Sequence, residues 1–137
     1  MGTSIRTEVS KDNPYYISKH RYLELKHFCL QYPEWEKLWR EIPLISGNEI
    51  AKIPGGKNPG KPVENLAIKR MTLERNMQMV WKVCEEADKA LADYIFKAVT
   101  DGVSYVWLSM HTDIPCGKDM FYDRYRRFFW LLDGVRR

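Results

Sequence analysis

The chain has 137 residues and a formal charge of +4, from 22 Lys and Arg against 18 Asp and Glu. With 45% hydrophobic and 13% aromatic residues, it is a globular chain with a core of its own, not a disordered one. The weak basic excess permits an anionic partner without requiring one. No stretch approaches the roughly 18 apolar residues of a membrane helix.

The opening run Met1-Gly2-Thr3-Ser4-Ile5-Arg6 has no apolar signal core. Arg6 stands where a myristoylation signal has Ser or Thr. Cys29, Cys84 and Cys116 are an odd number without a CxxC pair. They read as reduced thiols of a cytoplasmic protein.

Residues 1–13 are polar and form a loose lead-in. Ser18 offers an N-cap for a helix running to about Gln31, with Tyr22, Leu25, Phe28, Cys29 and Tyr32 inward. Pro33 stops it and suits the first turn of a second, short helix. That helix carries Trp35, Leu38, Trp39 and Ile42 on one face, with Glu34 and Glu36 at its positive end. Residues 1–42 are therefore expected to form an N-terminal helical hairpin.

Residues 43–62 hold Pro43, Gly47, Pro54, Gly55, Gly56, Pro59, Gly60 and Pro62. No periodic apolar face survives there, so the segment reads as a flexible linker or loop. Its Lys52, Lys57 and Lys61 are most simply solvated.

Residues 63–137 are expected to form a long helix followed by a helix-turn-helix. From 63 to 99 there is no Pro or Gly. Leu73, Met77, Val80, Cys84, Ala87, Leu91, Tyr94 and Ala98 recur at spacings of four and three, a heptad-type seam on one long helix. Packing within the chain and a homodimer interface are the two readings of that seam. Asp101-Gly102 ends the helix, and Ser104 caps a short helix carrying Tyr105, Val106, Trp107 and Leu108. After a turn over 111–116, a last helix runs from about Gly117 to Leu132, closed by Gly134.

The chain has no P-loop, GxGxxG, GxSxG or HExxH motif. His20, His27 and His111 make no metal-ligand spacing with the cysteines, and Glu85, Glu86 and Asp88 are ordinary for a solvated helix. The expectation is no enzyme, no metal and no cofactor.

Chemistry concentrates in the last third. Its order is that of a helix-turn-helix unit whose final helix enters the major groove. On a wheel at 100° per residue, Phe121, Tyr125, Phe128 and Leu132 make a narrow apolar stripe. Asp119, Tyr122, Asp123, Arg126, Arg127 and Trp130 lie opposite, with Lys118 and Arg124 on the flanks. Arg forks onto guanine or neutralises phosphate, and Lys does the second. From Lys118 onward there are six basic and three acidic residues. The expected DNA-facing set is Lys118, Tyr122, Asp123, Arg126 and Arg127, with Arg124 reaching phosphate from the flank. Tyr15, Tyr16, Trp35, Trp39 and Trp130 are expected to form a partner or oligomer surface.

The run Asn13-Pro14-Tyr15-Tyr16-Ile17-Ser18-Lys19-His20-Arg21-Tyr22-Leu23-Glu24-Leu25-Lys26, its continuation Phe28-Cys29-Leu30-Gln31-Tyr32-Pro33-Glu34-Trp35, and the C-terminal run 114–132 resemble small phage proteins of Gram-positive bacteria. Among these the chain resembles the RinA/ArpU-like regulators. The family pattern carries more hydroxyl and basic residues where Gly117 and Asp119 stand here. The resemblance implies an all-α phage or prophage transcriptional activator of late packaging and structural genes. It further implies a sigma-like C-terminal helix-turn-helix, double-stranded promoter DNA as ligand, and host RNA polymerase as protein partner. The competing readings are a phage inhibitor of a host defence protein, of anti-CRISPR type, and a small-terminase-like packaging factor.

Overall fold

The computed structural model describes residues 13–42 and 60–137, and in that second stretch side chains from residue 64 onward. Among them all regular structure is α-helical: α1 (Lys19–Leu30), α2 (Tyr32–Glu41), α3 (Gly60–Ala87), α4 (Ala92–Asp101), α5 (Tyr105–His111) and α6 (Lys118–Val135). The all-α expectation holds. The linker reading of 43–59 and the lead-in of 1–12, with Lys52 and Lys57, lie outside the described residues. Positions 60–62, expected in the linker, are helical and begin α3.

Contacts divide the chain into two units, Glu34–Gln78 and Met79–Arg137 joined by Met1–Pro33. This differs from the expected separate hairpin over 1–42. The cause lies in what covers each helix: α1 packs on α4 and α6, whereas α2 is tied to the first part of α3.

In the smaller unit, the end of α2 is held by Arg70. Its guanidinium donates to the carbonyls of Trp39 (3.1 Å) and Ile42 (2.7 Å) and lies 4.3 Å from the centre of the Trp39 ring. Helix-terminal carbonyls lack intrahelical donors, and Arg supplies them here. Trp39 Nε1 donates to Glu74 at 2.8 Å. Trp35, Ile42 and Leu73 are buried, whereas Leu38, expected inward, keeps 37% of its surface exposed.

In the larger unit, Ser18 accepts from the Arg21 amide and starts α1, as its position predicts. Tyr22, Leu25, Phe28 and Cys29 turn inward against α4 and α6. Rings continue the core: Tyr22 meets Phe129 edge-on at 5.0 Å, and Phe128 meets Phe129 at 4.9 Å. The Tyr22 and Tyr125 hydroxyls share a hydrogen bond at 3.1 Å. No buried side-chain nitrogen or oxygen among the described residues lacks a partner.

The long helix expected over 63–99 is broken. α3 ends at Ala87 and α4 starts at Ala92. Asp88 makes the break: its Oδ1 accepts the Ala90 amide at 2.9 Å and the Leu91 amide at 3.1 Å. A side chain that bonds amides two and three residues ahead competes with the helical ladder. Val80, Cys84, Ala87, Leu91 and Ala98 of the seam are nevertheless buried within the single chain. Burial pushes the Cys29 and Cys84 thiols far above the ordinary range and leaves them protonated.

Gly102 (φ 71°) ends α4 in the left-handed conformation, and a Cβ there would stand 3.3 Å from Leu30 Cδ2. Gly134, expected to close the last helix, lies inside α6, which runs on to Val135.

The end of α6 is tied back to α1. Asp133 accepts Arg21 Nε at 2.7 Å and Arg137 at 2.9 Å, and Arg21 also pairs with Glu24. Arg136 covers the Phe28 ring at 3.6 Å. Burial opposes the charge of Asp133, but hydrogen bonds from Arg21 and Arg137 override it and hold its carboxyl below the ordinary value. A carboxyl so lowered stabilises the fold above its unfolded pKa of about 3.9, and that stability disappears as pH falls through the folded value. Asp133→Asn should therefore cost about 2 kcal/mol at pH 7. In urea titrations the gap to the parent should shrink below about pH 4. A gap that is constant with pH would exclude the clamp as its source.

Candidate nucleic-acid interface

Helix α5 begins at Ser104, whose hydroxyl accepts the Trp107 amide at 3.1 Å. It ends where the Thr112 amide and hydroxyl both reach the Leu108 carbonyl. The connection over 112–117 is fastened from α5: Tyr105 donates its hydroxyl to the Cys116 carbonyl at 2.7 Å. The same Tyr105 gives its amide to the Tyr122 hydroxyl at 3.1 Å and packs on Phe121. These bonds set where α6 starts and which side it shows.

The inward side of α6 is wider than one stripe. Phe121, Tyr122, Tyr125, Phe128, Phe129, Leu132 and Asp133 are all buried. Three helices, α1, α4 and α5, pack on α6 and cover a broad arc. Tyr122, expected to face DNA, is thus a core residue whose hydroxyl is already engaged by Tyr105.

The outward side carries Lys118, Asp119, Met120, Asp123, Arg126, Arg127 and Trp130, exposed or half-buried. Among the described residues, Lys118, Arg126 and Arg127 form no ion pair. Arg127 reaches only the Glu86 carbonyl, at 3.5 Å. Arg124 differs: its Nε donates to Asp88 Oδ2 at 2.9 Å and its Nη1 pairs with Asp123. The hydrogen bond to Asp88, and after it that to Asp123, push its pKa further up against the opposing effect of burial. Asp119 sits in the first turn of α6, where the helix dipole favours it.

Of the expected partner surface, Trp35 is buried, and Trp39 is occupied by Arg70 and Glu74. Tyr15, Tyr16 and Trp130 do come together. The Tyr15 and Trp130 rings lie 5.9 Å apart. Tyr16, Trp130, Leu131, Asp133, Gly134 and Arg137 line an open groove of about 470 Å³. The outward Trp130 is thereby partly covered by the segment ahead of α1, as an exposed indole requires.

Sequence reasoning missed Asp88, which serves both the α3–α4 break and Arg124. The signal was an Asp three residues ahead of Leu91, a residue type whose carboxylate bonds amides two and three residues on and so favours a turn. It also missed exposed apolar residues next to the site: Val106 and Met110 on α5, at 55% and 76% exposure, and Met120 on α6. Trp107 and His111 stack at 4.2 Å, with His111 Nδ1 hydrogen-bonded to the Trp107 carbonyl. That gives His111 a packing role. Among the described residues no group of three or more His, Cys, Asp or Glu could hold a metal ion. No helix among them is long and apolar enough to cross a membrane.

No family model matches this chain, and no curated protein or solved structure does either.

Proposed function

We propose that the chain is a phage-encoded transcriptional activator of late genes that binds double-stranded promoter DNA through α6 in the bacterial cytoplasm. The observation that carries the reading is the outer side of α6. Three cations, Lys118, Arg126 and Arg127, stand there without a carboxylate partner among the described residues, while the opposite side is buried on α1, α4 and α5. α4, α5 and α6 follow one another in the order of a helix-turn-helix unit. An 18-residue helix is about 27 Å long. A helix with its side chains is about 10–12 Å across, the scale of a major groove about 12 Å wide. The groove beside Tyr16 and Trp130 supplies a surface for host RNA polymerase, with aromatic residues of the kind that anchor protein interfaces.

DNA binding has a direct test. The chain is used to enrich duplexes from a randomised pool, and affinity for the enriched duplex is followed by anisotropy against salt. Log K should fall against log salt with a slope of about −2.7 or steeper, three phosphates at −0.9 each. Absence of saturable binding defeats the reading. Binding that ignores salt defeats the role of the three cations.

A further inference from the structure

A helical wheel puts Arg124 on the flank of the outer side, within reach of phosphate, yet it is the cation the fold has already engaged. Its Nε donates to Asp88 Oδ2 at 2.9 Å, and its Nη1 pairs with Asp123 on the outer side of α6. Asp88 is fully used as well: Oδ1 holds the amides of Ala90 and Leu91, and Oδ2 holds Arg124. A single carboxylate thus ends α3, starts the turn into α4 and fixes a point in the second turn of α6. One turn further along α6, Arg127 reaches the Glu86 carbonyl at the end of α3.

We propose that Arg124 is a positioning residue, bridging Asp88 and Asp123 so that the outer side of α6 is aligned and its nearest carboxylate neutralised for DNA. The inference rests on the DNA-binding reading above. Two consequences follow from its charges. Asp123 left bare would repel phosphate, so Arg124 aids binding without touching DNA. Losing Asp88 would remove a negative charge and release a cation, which simple attraction to DNA would reward. Loss of alignment works in the opposite direction, so the sign of the Asp88 effect discriminates between the two.

The experiment uses the full chain and the duplex enriched by the parent protein. Circular dichroism melts first establish that each variant is folded at the assay temperature. Arg124→Ala should weaken binding about five-fold, the size of one ion pair near a surface. Its salt slope should match the parent, whereas Arg126→Ala should flatten the slope by about 0.9. Adding Asp123→Asn to Arg124→Ala should recover part of the loss. Asp88→Asn, whose amide oxygen still accepts both backbone amides, should weaken binding despite its more favourable charge. An Arg124→Ala slope flattened by about 0.9 would make Arg124 a phosphate ligand and overturn the proposal. Tighter binding by Asp88→Asn would overturn it too. A parent chain with no salt-dependent binding shows itself before any substitution and removes both the function and the bridge.

Discussion

Replacing Arg126 and Arg127 together by Ala should lower affinity for the enriched duplex on the order of 30-fold at about 100 mM salt. It should flatten the salt slope by about 1.8. Both residues are half-buried, lie outward on α6, and are unpaired with carboxylate among the described residues. No carboxylate among the described residues has to be given up for them to meet DNA. Neither contributes to the aromatic core, so the melting curve should stay close to that of the parent. An unchanged slope with an intact melt would move the interface off α6. A collapsed melt would show that the Arg127 contact to the Glu86 carbonyl matters more for folding than its 3.5 Å length suggests.

Phe128→Ala should give the largest stability loss, about 3–5 kcal/mol, with a drop in melting temperature of roughly 10–20 °C. Phe128 is fully buried and packs edge-on against Phe129 in the core beneath α1 and α4. Truncation there removes apolar contact and leaves a cavity that rigid aromatic neighbours fill poorly. Such a loss is a large share of a typical folding stability of 5–15 kcal/mol. A loss under about 1 kcal/mol would mean that α6 is not packed as described.

Local chemistry made much of the fold legible. Ser18, Gly102 and Ser104 each do what their residue type predicts at a helix end. The break at Asp88 was hidden for a simple reason. Ala87 and Leu91 are four apart and both buried, so an interrupted helix kept the phase of a continuous one. Gly134 misled in the opposite sense. A glycine near a helix end reads as a stop, yet a Cβ placed on it would meet nothing within 4 Å, and the ties of Asp133 and Arg136 carry α6 past it. For the candidate site, the sequence located Lys118, Arg126 and Arg127 on the outer side. It misplaced Tyr122, because a wheel cannot show how many helices will pack on α6. It took Arg124 as available, because its partner Asp88 lies 36 residues away.

The clamp between Arg21 and Asp133 spans 112 residues. α1 is made long before α6, and until then only α4 can cover part of its Tyr22, Leu25, Phe28 and Cys29 face. The core of the larger unit is therefore completed only after α6 has emerged, because Tyr22 rests on Phe129 and Tyr125 of that helix. A nascent chain stalled before α6 would leave the α6-facing part of α1 open to chaperones, and the step that buries it is the same one that sets the candidate DNA face.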